Sequence, residues 1–465
     1  MAGTFFGISI AQSGLTAQRI AMEVLSQNIA HANDPTYKRQ RLILTEGVPL
    51  AQSQEASAVG IAVAGSGVRA GAIQRIRDDL IENRLRLATQ SSGEWDFMAN
   101  AMAQLEATLG EPSDTGLQTD LDRFWAAWQK VATSPDSLPI RNALLGDAAA
   151  LCARIRYSYT QISNVSDDLN LATTTRVGRI NSIATEMARL NSEMASMSSG
   201  EYSANSLLDR RDALVLELSR IVSISQHGQG GPDFIVSIGG RVLVQGTHAN
   251  ALTSEPGPSG AEVVGWASDG EAVVIQGGEL KAIADLNHTA VPAYLQQMDD
   301  FASSLVTAVN ALHATGKTVS GADGGDFFTA GTTAANISLD ASIADNPSLV
   351  AASASGAIGN GDIALQIASL KTTVVAGNQT INQMYQSLVS DLGKAGALAE
   401  NQAFAHRLSL QQFASQQQSI SGVSLDEEMT NMVKFQQAYN AAARTLSVMD
   451  EMLTVLIERT GIVGR

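Results

Sequence analysis

The chain is poor in charge. Only 16% of its 465 residues are Asp, Glu, Lys or Arg, and long stretches run in Ala, Ser, Thr, Gln and Asn. An apolar content of 45% separates this from disorder, which combines low hydrophobicity with high charge. Basic residues are the scarcer sign, and a net charge of −16 argues against a general nucleic-acid binder, which needs a concentrated basic face. The one short basic cluster, Lys38, Arg39 and Arg41, reads as a solvated turn edge. Cysteine is nearly absent. Cys152 alone permits no internal disulfide, fits either a reducing compartment or an exported protein that avoids thiols, and reads as a small core hydrophobe. No apolar run reaches the length of a membrane-spanning helix. Met1 to Leu15 lacks a basic region ahead of an apolar one and has no clear cleavage site, so it does not read as a secretory signal.

Catalytic patterns are missing as well. His31, His227, His248, His288, His313 and His406 are scattered, and no pair has the four-residue spacing of a helical zinc motif. There is no phosphate-binding glycine loop and no nucleophile elbow. Asp323 and Asp326 sit among turn glycines and resemble one calcium-type repeat, but such repeats work in stacks, so an exposed turn is the reading. The expectation is a protein that is not an enzyme, with no cofactor and no metal.

What is present is helical periodicity. From Phe5 to Ala32 a narrow seam runs through Ala11, Leu15, Met22, Leu25, Ile29 and Ala32 before Pro35. From Ser424 to Arg459 the other end repeats it in Met432, Phe435, Tyr439, Ala442, Leu446, Met449, Leu453 and Leu456, with Ser424 and Glu427 spaced as a capping box. An isolated helix with such a stripe must bury it. The simplest partner for each seam is the other, so the chain ends are expected to meet and the middle to be an outgrowth.

The middle is mostly helical too: Ile73 to Leu109, Asp120 to Val131 with Trp125 and Trp128 on one face, Pro139 to Ser196 with an irregularity near Thr173 to Thr175, Leu207 to Val222, Gly278 to Leu312, and Asp362 to Gln418. The tryptophan pair reads as core rather than a carbohydrate platform. The quartet Asp209, Arg210, Arg211 and Asp212 reads as lying on or near a helix surface. Alternating segments from Ser223 to Ile275, and short patches in the Gly, Ala, Ser and Asp-rich stretch from Thr315 to Gly361, read as strands. Ser57 to Gly71, with Val59, Ile61, Val63 and Val68, reads as a short extended segment.

The fold expected is mainly α with an inserted β-rich domain, an elongated helical bundle whose N- and C-terminal helices form a coiled coil. Residues 1–60 with 420–465 would be the terminal assembly segments, and 61–222 with 280–314 and 362–419 a discontinuous helical domain. Residues 223–279 with 315–361 would be an outer β-rich domain.

Both ends resemble the axial proteins of bacterial flagella, the rod, hook and hook-associated family. Gly14 to Arg39 holds the shared pattern in Leu15, Gln27, Asn28, Ile29, Ala30, Asn33, Tyr37 and Lys38, departing from it where Asp34, Pro35 and Thr36 replace a glycine turn. The other end is more specific. Ser421 to Glu428, then Asn431, Met432, Phe435, Gln436, Gln437, Ala438 and Tyr439, resembles the hook-associated protein 1 branch. Gly110 to Leu121, the helix around Leu208 to Asp212, and Gly324 to Phe328 agree with it.

That resemblance implies a structural subunit at the hook–filament junction, with Leu15, Met22, Leu25, Ile29, Met432, Phe435, Tyr439, Leu446, Met449, Leu453 and Leu456 as assembly-interface residues. It implies self-association in a ring of about eleven subunits, contact with hook protein and with a second junction protein toward the filament, and an export chaperone at the C-terminal region. It implies export through the flagellar type III apparatus without a cleavable signal, and no nucleic-acid or membrane partner. The alternatives are a hook or distal-rod axial protein and, from another class, a secreted glycan-binding adhesin working through Trp266.

Overall fold

The computed structural model describes residues 2–47, 67–111, 113–197, 203–228, 234–258, 260–375 and 377–459; of the extended segment expected over Ser57 to Gly71, Val59, Ile61 and Val63 lie outside them and Val68 begins a strand. Helix α1 (Ala2–Ala30) leads into an antiparallel pair, β1 (Gln40–Glu46) and β2 (Val68–Arg75). Gln40 pairs with Arg75 and Glu46 with Val68, with a register irregularity between Leu42 and Leu44. Ile73, whose spacing to Ile76 and Leu80 suggested helix, belongs to β2. The helix starts only where the Asp78 carboxylate accepts from the backbone N–H groups of Leu80 and Ile81, at 2.9 and 3.2 Å, which is N-cap geometry.

That helix, α2 (Asp79–Leu109), stops at Gly110, whose φ of +61° suits glycine. Next come α3 (Leu117–Thr133), α4 (Leu138–Ser196) and α5 (Ser203–Ile221). The 59 residues of α4 make a rod of about 88 Å. The irregularity expected at Thr173 to Thr175 is absent: α4 runs through it unbroken, and each hydroxyl donates to the carbonyl four residues back, on Leu169, Asn170 and Leu171.

Six short strands follow: β3 (Ser225–His227), β4 (Ile235–Ile238), β5 (Arg241–Gln245), β6 (His248–Ala249), β7 (Leu252–Pro256) and β8 (Glu262–Trp266). They form an antiparallel sheet in the order β3-β4-β5-β6 and a separate β7-β8 pair. Both lie along α4, whose asparagines hold their backbone. Asn181 accepts from the N–H and donates to the carbonyl of Leu252, both at 2.8 Å; Asn170 accepts from Glu262 N–H at 2.9 Å and donates to Gly260 O at 3.1 Å; Asn191 donates to Gly246 O at 2.7 Å. Such residues, about three turns apart on one helix, tie an insert down through its main chain.

The chain then returns to helix in α6 (Glu279–Asp285), a π-turn (Leu286–Ala290), α7 (Val291–His313), α8 (Ala341–Asp345), α9 (Asp362–Ser369), α10 (Ile381–Ser421) and α11 (Leu425–Arg459). The single helical region expected over 362–418 is thus two helices, the second started by a capping box between Thr380 and Gln383. Residues 315–361, grouped from sequence with the strands, pack on the helical body. Phe327 and Phe328 place their rings 5.0 Å from Trp128 and 5.8 Å from Phe124 of α3. Ala351 N–H donates to His313 Nε2 at 2.8 Å, and Arg141 of α4 donates to the Val350 carbonyl. Two adjacent phenylalanines need a deep apolar surface, and the aromatic face of α3 provides one. The architecture is mainly α with a small inserted β region, as the patterning indicated.

Candidate assembly interface

Helices α1 and α11 pack antiparallel along much of their length. A Cβ added to Gly7 would meet Met449 at 2.9 Å, and one on Gly14 would meet Ala442 at 3.9 Å. Asn28 Nδ2 donates to Glu428 Oε2 at 2.9 Å. Seven residues along α1 therefore match seven along α11 at every step. This is a heptad register, and it sets Ala21 opposite Phe435.

The facing row on α1 falls one residue before the expected row of Leu15, Met22 and Ile29. Those three are half-buried, while Ala11 and Leu25 of the expected seam are buried together with Ala17, Ala21, Val24 and Asn28. Periodicity searches favour large side chains, whereas this contact uses glycine and alanine so that two backbones can approach closely. On α11, Met432, Phe435, Leu446, Met449 and Leu453 are half-buried, while Tyr439 and Leu456 are exposed. Away from this contact α11 also exposes Met429, Val433, Val448 and Met452, between 47% and 56%, among polar residues such as Gln437, Asn440, Arg444 and Glu451.

A polar clasp joins this helix pair to the body. Asn28, fully buried, uses its whole amide: Nδ2 donates to Glu428 and to the Gln40 carbonyl, and Oδ1 accepts from Gln40 N–H and from the Tyr37 hydroxyl at 3.0 and 2.8 Å. Glu428, also fully buried, faces the Arg39 guanidinium at 2.7 Å. Both oxygens of Glu427 lie 2.9 Å from Arg39 nitrogens, so the expected capping-box carboxylate serves an arginine from the other end of the chain. Arg39 N–H closes the loop on the Ser421 carbonyl at 2.8 Å.

The second half of the clasp reaches the body. Lys38 is 4% exposed and donates to Glu82 of α2 at 2.7 Å, and its backbone N–H reaches Asp209 of α5 at 3.3 Å. Arg75 of β2 bridges Asp209 and Asp212 at 2.8 Å each. The basic cluster read as a solvated edge is therefore an inward-facing set of pairs at Lys38 and Arg39, and Asp209 and Arg211 are buried rather than superficial. Composition could not show this, because burial of a charge depends on a partner distant in sequence.

Burial shifts the titration of these groups. The Tyr37 phenol is pushed above its ordinary range by desolvation, with the Asp209 and Glu428 carboxylates adding to it. Desolvation also raises the Asp209 carboxyl, against the pull of Arg75. Arg39 is held more firmly charged by Glu427 and Glu428.

Other candidates from the sequence resolve differently. Trp125 and Trp128 are buried in the aromatic core, Trp125 donating to Asn382 at 2.9 Å. Trp266 is 2% exposed beneath the Arg241 guanidinium, which leaves no ring face for a sugar. Cys152 is buried, and desolvation pushes its thiol up to about 12, far from the thiolate a nucleophile needs. Asp323 pairs with Lys317 on the surface. Among the described residues no group of three metal-ligating side chains converges, and no helix is long and apolar enough to cross a membrane.

Comparison with known proteins matches three family models to this chain. Residues 102–328 match the flagellar hook-associated protein FlgK helical domain, residues 8–38 the flagella basal body rod protein, and residues 414–459 the flagellar basal body rod FlgEFG protein C-terminal. The last two contain the two sides of the Asn28–Glu428 contact. Flagellar hook-associated protein 1 of Bacillus subtilis is 30% identical over an alignment of 509 positions that covers 100% of both chains. Its counterpart from Salmonella typhimurium is 25% identical, covering 97% of this chain and 99% of the relative. The flagellar hook junction protein FlgK from Burkholderia pseudomallei superposes with a TM-score of 0.64 over 73% of this chain and 100% of that one, and at 17% identity it shows the fold alone.

Proposed function

The chain belongs to the flagellar hook-associated protein 1 family, which makes it an axial structural protein of the bacterial flagellum, and on that premise we propose that it joins hook to filament. The observation that supports this most is the apolar surface that the α1–α11 pair leaves exposed. Met429, Val433, Val448 and Met452 of α11, with Tyr439 and Leu456 at the edge of the seam, are open to solvent. Apolar side chains left exposed on a long helix pair are available to a further helix.

Neighbouring copies cover that surface when subunits meet through different faces, and helical symmetry leaves both axial ends open for other proteins. Under this reading the partners are further copies in a ring of about eleven, hook protein on one side and a second junction protein on the other. Leu15, Met22, Ile29, Tyr439 and Leu456 supply apolar surface beside the α1–α11 contact. Leu25, Met432, Phe435, Leu446, Met449 and Leu453 keep the pair in register. The chain leaves the cell through the flagellar type III apparatus, met beforehand by a chaperone at its C-terminal region.

Replacing Leu446 and Leu453 together by Asp tests the assembly role. Two half-buried seam positions become charged, the body keeps its fold, and the junction fails to form. Normal filaments growing on hooks that carry the double variant would refute it. Position is tested by immuno-electron microscopy of intact flagella, with label confined to the hook–filament boundary. Label along the whole hook or in the rod would favour the hook or distal-rod reading instead.

A further inference from the structure

Beside the clasp, a cavity of about 640 Å³ opens between α2, α5 and the segment joining α1 to β1. Its size falls in the range of ligand pockets. Most of the charges around it are committed. Asp79 pairs with Arg77, Glu82 with Lys38 at 2.7 Å, Asp212 with Arg75 at 2.8 Å, Glu217 with Arg179 at 2.6 Å, and Arg220 with Glu279 at 2.9 Å.

Arg86 is the exception. Its Nη2 donates to the neutral side chain of Asn83 at 3.0 Å, while Nη1 is buried with no acceptor. Among the described residues it is the one cation lining this cavity without a carboxylate. Burial draws its pKa down, and no nearby carboxylate offsets that effect. A guanidinium stays charged regardless, and a buried donor left unmade is costly.

We propose that this cavity is a carboxylate-binding site built on Arg86, occupied in the assembly by an acidic side chain of a second copy of this chain. The chemistry follows from the fork of Arg86, whose free N–H groups match a carboxylate, and from the pairing of the other charges around the cavity, each already held by an opposite charge. The occupant follows from charge and place. Copies with a net charge of −16 present carboxylates in excess, and the cavity adjoins Pro35, Thr36 and Lys38 at the root of the α1–α11 pair. The inference rests on the assembly reading above, because a neighbour must come close enough to reach in.

The test uses the full chain and Arg86→Met, which keeps length and packing while removing the charge. In solution, sodium acetate at constant ionic strength raises the thermal midpoint of the parent chain above that in chloride, and the variant shows no acetate-specific rise. In cells, the variant folds and is exported but enters the junction at least about tenfold less efficiently, as expected when one side of a buried charge pair is lost. Equal acetate responses together with normal incorporation would overturn the site. An acetate response confined to the parent, with normal incorporation of the variant, would overturn the neighbouring copy as occupant and give the site to a free organic acid. The Leu446 and Leu453 double variant separates the two claims. It abolishes incorporation while keeping the acetate response, so loss of the seam and loss of the cavity site read differently.

Discussion

The aromatic core of the body and the terminal helix pair are held by different physics. In the body, Phe124, Trp128, Phe327 and Phe328 are fully buried with ring centroids 4.9 to 6.3 Å apart, and stability comes from apolar volume removed from water. The terminal pair meets through glycine, alanine and half-exposed apolar side chains, and a buried polar clasp sets its register. Area holds the first together, and specific hydrogen bonds decide how the second sits. An element that must later exchange contacts with neighbours benefits from the second design, because an exposed apolar side remains available while the polar clasp still allows one arrangement.

The largest expected effect lies in the body. Trp128→Ala removes a fully buried ring and should cost about 3–5 kcal/mol, seen as a lowered unfolding midpoint across all of the helices. If only α1 and α11 lost protection, the body and the terminal pair would not be the separate layers described here.

Asn28→Leu comes next. It keeps the volume but leaves Glu428, Tyr37 and the Gln40 backbone without their partner, which should cost about 3 kcal/mol. The loss should be local. Hydrogen exchange in α1 and α11 should accelerate roughly a hundredfold while the aromatic core stays protected. Uniform loss of protection would mean that the clasp also supports the body.

The smallest effect is a pH dependence. Tyr37 has its folded-state pKa raised above the ordinary 10.0, first by burial and then by Asp209 and Glu428. The folded state therefore holds this proton more tightly than the unfolded state. Stability is complete below pH 10 and falls as pH rises from there toward the folded value, with a slope approaching about 1.4 kcal/mol per pH unit for this one group. Denaturant titrations of the parent and Tyr37→Phe at several pH values above 10 should show a shallower decline in the variant. Parallel curves would place the Tyr37 hydroxyl outside the buried network.

Much of the fold was legible because helices announce themselves locally. The seams at both ends, the core role of Trp125 and Trp128, and the helical body follow from spacing within one or two turns. The asparagines that pin the strands to α4, the small-residue row on α1 and the docking of Phe327 and Phe328 were not legible in the same way. Asparagine and glycine have no periodic apolar signature, and two phenylalanines in a glycine-rich loop do not say which surface receives them.

The amino-acid sequence by itself determined that each end is a helix with a stripe to bury, and that the chain resembles the flagellar axial family. Only the tertiary structure decided how those ends sit. It brought Asn28 to Glu428, turned Lys38 and Arg39 inward, shifted the α1 contact row by one residue and, among the described residues, left Arg86 at a cavity without a carboxylate. Periodicity reports which face of a helix is apolar, because that is a property of neighbours along the chain. Whether a polar or charged group is buried, and against what, depends on residues hundreds of positions away, and only the folded arrangement brings them within hydrogen-bonding distance.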